Sequence, residues 1–169
     1  MKKKELASEK EVEAYLIENQ LMHYRLAYSY VRNQEDALDI IQEASYKAIV
    51  HIDSLKSIHQ MKPWFCRILI NTALDFLRKR KRLLVMDEET MEAFDKGSED
   101  RYEDIDLHQA LREMPDQYRS ILILRFFEDL KIEEIADILN ENISTIKSRL
   151  YRSLKMLRLE IKEDQEVIQ

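Results

Sequence analysis

One glycine and two prolines are all that interrupt 169 residues, and this scarcity constrains the fold more than any other feature. Strands and tight loops need punctuation by Gly and Pro, and here it is nearly missing. Both prolines stand at helix starts, Pro63 before WFCRILINTALDFL and Pro115 before DQYRSILILRFF, where the missing N–H has no intrahelical partner to lose. Apolar residues recur at the helical period nearly throughout. The sequence therefore predicts an all-α protein, and 45% hydrophobic content is enough for the cores of one or two small domains. No stretch approaches the roughly 18 consecutive apolar residues of a membrane span, and the lysine-rich MKKKELASEK lacks the apolar run of a signal peptide. A cytosolic location is expected. Lone Cys66 lies in an apolar helical pattern and is expected as a buried core thiol.

Charge is distributed unevenly. The formal net charge is −6, yet Ile143 to Arg158, ISTIKSRLYRSLKMLR, carries five basic residues and no acid. Such segregation suits a helix that lies against a polyanion. At helical spacing Ser144, Thr145, Lys147, Ser148, Tyr151, Arg152 and Lys155 share one face, with Ile143, Ile146, Leu150, Leu154 and Leu157 on the other. Just upstream, Ile132, Ile135, Ala136 and Leu139 form an apolar stripe that begins with Glu133 and Glu134, acids suited to a helix N-terminus. Asn140, Glu141 and Asn142 separate the two by the length of a helix-turn-helix turn. Asn140 tolerates a left-handed conformation there, and Asn142 is the natural N-cap. In this motif the second helix enters the major groove, with Lys147, Ser148, Tyr151 and Arg152 as base or phosphate readers. The alternative is an amphipathic helix with a solvated basic face.

The chain divides into a helical region to about Arg82 (1–82), an acidic connector (83–105) and a second helical region (106–169). From Asp87 to Asp106 ten acids face only Lys96 and Arg101, a net of −8, and the single glycine, Gly97, lies among them. This composition predicts a flexible linker, either an ordinary solvated connector or a mimic of nucleic acid.

Two further surfaces stand out in the first region. The helix after Pro63 carries Arg67, Asn71, Asp75, Arg78 and Arg82 along one stripe and ends in RKRKR, which includes Lys79. Trp64, Ile68, Leu74 and Leu77 are expected to face the core. Such a stripe fits a helix crossing a nucleic-acid backbone, although a basic C-terminus also favours the helix dipole without any ligand. The segment His51 to Lys62 reads as a loop long enough to hold an unstacked base. In NQEDALDIIQE, Asn33 to Glu43, the residues Glu35, Asp36, Asp39, Gln42 and Glu43 face outward if Ala37, Ile40 and Ile41 face in. An acidic face among DNA-directed segments would only repel phosphate, so a basic protein partner is the economical use of it.

These pieces, in this order, resemble the extracytoplasmic-function sigma factors of bacterial RNA polymerase over about Leu21 to Leu159. HYRLAYSYVRNQEDALDIIQEA looks like sigma region two up to its polymerase-binding helix, in which Ala37, Asp39, Ile40, Ile41, Gln42 and Glu43 match the family's pattern. PWFCRILINTALDFLRKRKR is similar to the promoter-melting and minus-ten-reading segment. MPDQYRSILILRFFEDLKIEEIADILNENISTIKSRLYRSLKML is similar to region four, which reads the minus-thirty-five element.

The resemblance implies an alternative sigma factor that binds core polymerase and directs promoter recognition, melting and initiation for a stress-type regulon. Asp36, Asp39, Ile40, Gln42 and Glu43 would engage the clamp helices of the largest polymerase subunit, and the flap is a second implied contact. Trp64, Arg67, Asn71, Asp75, Arg78, Lys79 and Arg82 would handle the minus-ten element, with Asn71 and the loop before Pro63 capturing a flipped base. Ser144, Thr145, Lys147, Ser148, Tyr151, Arg152 and Lys155 would read the minus-thirty-five element. The linker would thread toward the RNA exit path. An anti-sigma factor, often membrane-bound in this family, is the further implied partner.

Three positions depart from the family's pattern: Asn140 replaces the usual turn glycine, Lys131 stands where a Ser or Thr cap is common, and the chain is acidic for a DNA reader. The Lys131 substitution predicts a first helix that frays more easily. A helix-turn-helix regulator that is not a polymerase subunit would share the second region but has no use for the surface of Ala37 to Glu43. No enzyme, metal, cofactor or small-molecule substrate is expected: His23, His51, His59 and His108 lie in no metal-ligand spacing, and no glycine-rich phosphate loop is present.

Overall fold

The computed structural model describes residues 6–86, 109–111 and 113–167, with the side chains of the last helix described to Arg158. Of the linker expected over residues 83–105, residues 83–86 are helical and the remainder lies outside the described residues. Among them the secondary structure is entirely helical, in two units, Met1–Ser98 and Glu99–Gln169.

In the first unit, α1 (Glu9–Glu18) opens on a capping box: the Ser8 hydroxyl accepts the Glu11 N–H, and the Glu11 carboxylate accepts the Ser8 N–H at 2.7 Å. The Ser8 N–H first, and then the Ser8 hydroxyl, which also donates to that carboxylate at 2.9 Å, hold the Glu11 carboxyl below its ordinary pKa. Helix α2 (Gln20–Val31) ends on left-handed Arg32. Helix α3 (Gln34–Val50) is capped by Asn33, whose side chain accepts the Asp36 N–H at 3.0 Å. Its inner face is Ala37, Ile40, Ala44 and Ala48, and the small alanines permit close approach of α2 and α4. Two single 3-10 turns, Ile52–Ser54 and Ile58–Gln60, replace the open loop expected between helices, and Leu55 between them is buried.

Helix α4 (Met61–Met86) starts two residues before Pro63 and runs four residues past Arg82. Its buried residues are Met61, Phe65, Cys66, Leu69, Ile70, Thr72 and Ala73, whereas Trp64, Ile68, Leu74 and Leu77 are only partly buried. The expected inner stripe is therefore corrected. Helix α4 packs on both α2 and α3, which covers about half its circumference, and the predicted residues fall on the flanks of that arc. Cys66 is a buried core thiol. The ring of His23 lies between Tyr15 and Phe65, with centroids 5.4 and 4.4 Å away, where α1, α2 and α4 meet. Burial first, and then the Lys62 charge, lower its pKa to about 4.

In the second unit, α5 (Asp116–Leu122) is capped by Pro115, whose carbonyl accepts the N–H groups of Tyr118 and Arg119. A π-helical turn, Ile123–Phe127, extends α5, and left-handed Asp129 then redirects the chain. The motif proper consists of α6 (Ile132–Leu139) and α7 (Ile143–Val167). Leu111, Met114 and Leu122 form one core cluster, against which Tyr118, Leu150, Met156 and Leu157 pack.

Candidate functional site

The turn between α6 and α7 is closed by backbone chemistry. Asn140 adopts φ 54° and ψ 47°, and the Glu141 N–H reaches the Ala136 carbonyl at 2.9 Å, satisfying an orphan at the helix end. The Asn142 carbonyl then accepts the Ile146 N–H. At the other end of α6 the Glu134 carboxylate accepts the Lys131 N–H at 2.8 Å. A lysine ammonium has no acceptor with which to complete a capping box, so only this half of it supports the helix.

Helix α7 shows Ser144, Lys147, Ser148, Tyr151, Arg152 and Lys155 to solvent, with Thr145 partly buried. Its inner face centres on Ile146, Leu150, Ser153 and Leu157. Ser153 is fully buried and donates to the carbonyls of Arg149 and Tyr118. Ile143 and Leu154, expected inside, are each 43% exposed. At about 100° per residue they lie about 60–80° off the Ile146 direction, at the edge of the buried stripe. One of the five basic residues is engaged internally, since Arg149 pairs with Glu141 of the turn at 3.0 Å.

In the first unit, Arg67, Asn71, Asp75, Arg78, Lys79 and Arg82 are exposed along α4. Asp75 pairs with Arg78 at 3.2 Å, so the lone acid of the stripe is screened by its own neighbour. The Trp64 indole N–H donates to the Ser54 hydroxyl at 2.9 Å, which ties the helix start to the preceding 3-10 turn. On α3, Asp39, Gln42 and Glu43 are exposed. Two residues grouped with them have other work. Ile40 is 1% exposed and belongs to the core of the unit; Asp36 is half-buried and pairs with Arg80.

Sequence reasoning missed the apolar members of these faces. Leu38 and Tyr46 are 51% and 70% exposed beside Gln42, and the i, i+4, i+8 spacing of these three residues was the available signal. Phe126 and Phe127, the last two residues of the π turn, are also exposed, and the Arg125 guanidinium lies 6.0 Å from the Phe126 ring centroid. Nothing local announced that pair. Among the described residues no group of three or more His, Cys, Asp or Glu can hold a metal ion, and no helix is long and apolar enough to cross a membrane.

A helix-turn-helix with an exposed basic face, preceded by a separate helical unit with its own acidic and basic faces, defines a two-module DNA-directed transcription protein. Residues 16–83 match the family model for sigma-70 region 2, and residues 104–157 match that for sigma-70, region 4. The chain is 56% identical over 142 residues to RNA polymerase sigma factor SigV of Bacillus subtilis, covering 83% of this chain and 86% of that protein. It is 31% identical to ECF RNA polymerase sigma factor SigW of the same organism, covering 83% of each. Its fold is similar to that of the sigma factor RpoE, solved with the anti-sigma factor NepR from Bartonella quintana. There the TM-score is 0.74 at 25% identity, over 89% of this chain and 98% of that one. The chain belongs to the ECF RNA polymerase sigma factors.

Proposed function

We propose that this protein binds core RNA polymerase through α3, melts and holds the minus-ten element with α4, and reads the minus-thirty-five element with α7. Acting in the cytoplasm, it directs initiation at a stress-type regulon and carries no catalytic chemistry of its own. The observation that supports this most is that the polar faces of all three helices are exposed while their opposite faces are buried. Each face thus has the chemistry of a different partner. Asp39, Gln42 and Glu43, with Leu38 and Tyr46, suit a basic clamp surface with apolar contacts. Arg67, Arg78, Lys79 and Arg82 suit phosphates, with Asn71 available to a flipped base. Lys147, Ser148, Tyr151 and Arg152 suit the major groove, with Ser144, Thr145 and Lys155 alongside. Exposed Phe126 and Phe127 offer apolar surface to the polymerase flap.

An anti-sigma factor fits the same faces, in keeping with the relative solved in complex with NepR. The test is reconstitution: the full chain is mixed with core polymerase and the transcripts from genomic DNA are mapped. Starts that share paired upstream elements, and that core alone does not produce, are expected. Absence of both core binding and new start sites would overturn the reading.

A further inference from the structure

The polymerase-facing acids of α3 and the promoter-facing stripe of α4 are linked through one side chain that belongs to neither surface. The Lys47 ammonium lies 2.9 Å from the Glu43 carboxylate and donates to the Thr72 hydroxyl at 3.2 Å. Thr72 is buried and donates in turn to the Ile68 carbonyl at 2.8 Å. An ammonium carries three donors, so Lys47 serves an acid on one helix and a buried hydroxyl on the next at once. Asn71 is held on the turn of α4 between Ile68 and Thr72. A cation arriving at Glu43 competes with Lys47 for that carboxylate, and among the described residues the other group on the ammonium is the hydroxyl that pins this turn.

We propose that Lys47 is a positioning residue that carries polymerase docking on α3 into the placement of Asn71 on α4. This rests on the assignment of Glu43 to polymerase and of Asn71 to the promoter.

The test uses the full chain with core polymerase, on a promoter mapped with the parent protein. Core affinity and permanganate reactivity of unpaired thymines at saturating core are read for Lys47→Met, Lys47→Arg and Thr72→Val. Lys47→Met and Thr72→Val are expected to keep core affinity within about twofold, as exposed ion pairs contribute little. Opening should fall about fivefold, the scale of one lost hydrogen bond. Lys47→Arg keeps charge and donors and should restore most of the opening. Parental opening in either folded variant overturns the proposal, and so does a loss of core affinity as large as the loss of opening. Failure of Lys47→Arg to restore opening also overturns it, assigning the defect to packing. Should Lys47→Met not fold, Thr72→Val decides alone. The parent run in parallel separates the two levels: a parent that binds no core or opens no promoter defeats the underlying assignment, whereas an active parent with parental variants removes only the Lys47 linkage.

Discussion

The Arg80 guanidinium lies 3.0 Å from the Asp36 carboxylate, joining the late turns of α4 to the first turn of α3 across 44 positions of chain. Each partner comes from a surface that would otherwise be counted as functional, Asp36 from the acidic face and Arg80 from the RKRKR cluster. Both side chains are less than one-third exposed, so their geometry is held on two sides. The pair fits the antiparallel register of the two helices, and it takes one charge from each prospective interface.

The Asp36–Arg80 pair is therefore expected to act on stability. Asp36→Asn and Arg80→Gln should each lower unfolding free energy by about 1 kcal/mol, and the double variant should cost little more than either single change. Denaturant titration of the four proteins checks this. Additive losses would show that the two residues do not act as a pair.

Docking should depend on the acids that remain exposed. Asp39→Arg with Glu43→Arg reverses two charges on one helix face and should abolish pull-down of core polymerase while leaving the far-ultraviolet circular dichroism unchanged. Repulsion at a complementary interface costs several kcal/mol. Undiminished pull-down would remove this face from the mechanism.

The basic face of α7 can be probed without touching its core. Lys147 and Arg152 are exposed, so Lys147→Ala and Arg152→Ala should fold normally. A phosphate contact would weaken all promoters alike and reduce the salt dependence, whereas a base contact should lose roughly 1–3 kcal/mol at a single upstream position. Transcription by reconstituted holoenzyme on single-base upstream variants at two salt concentrations distinguishes the two. Two alanine variants that match the parent throughout would mean that α7 is not the upstream reader.

His23 makes the first unit sensitive to acid. Its pKa is lowered from 6.5 to about 4 by burial and then by Lys62. Between these values the unfolded chain binds the proton that the folded chain refuses, so stability rises with pH. The contribution is fully present above about pH 6.5 and is lost as pH falls through about 4, a total of at most about 3 kcal/mol. His23→Gln should lose this part of the slope. Urea unfolding of parent and variant at pH 7.5 and pH 5 reads the difference, and parallel pH dependences would assign the acid sensitivity elsewhere.

Much of the molecule follows from local chemistry and was legible in order of residues. The near-absence of Gly and Pro required helices, and Asn140 announced a left-handed turn, which is realised at φ 54°. Each of these signals acts within about one helical turn, where covalent proximity leaves few competing partners. The polar faces of α4 and α7 were legible for the same reason, because a charged side chain stays in water wherever it can.

Only the tertiary structure decided which residues lie inside those helices. Periodicity locates an apolar direction to within a wide arc, but the neighbours that cover it come from dozens of residues away. Contact with both α2 and α3 therefore turned Phe65, Leu69 and Ala73 of α4 inward ahead of Trp64 and Leu77. On α7, Ser153 took the buried place that its hydrogen bond to Tyr118 makes tolerable, and Leu154 was left at the rim. The pairs Asp36–Arg80 and Lys47–Thr72 belong to the same class. Polar residues on separate helices have no sequence signal for meeting, since their partnership depends on a register set by packing of the apolar faces.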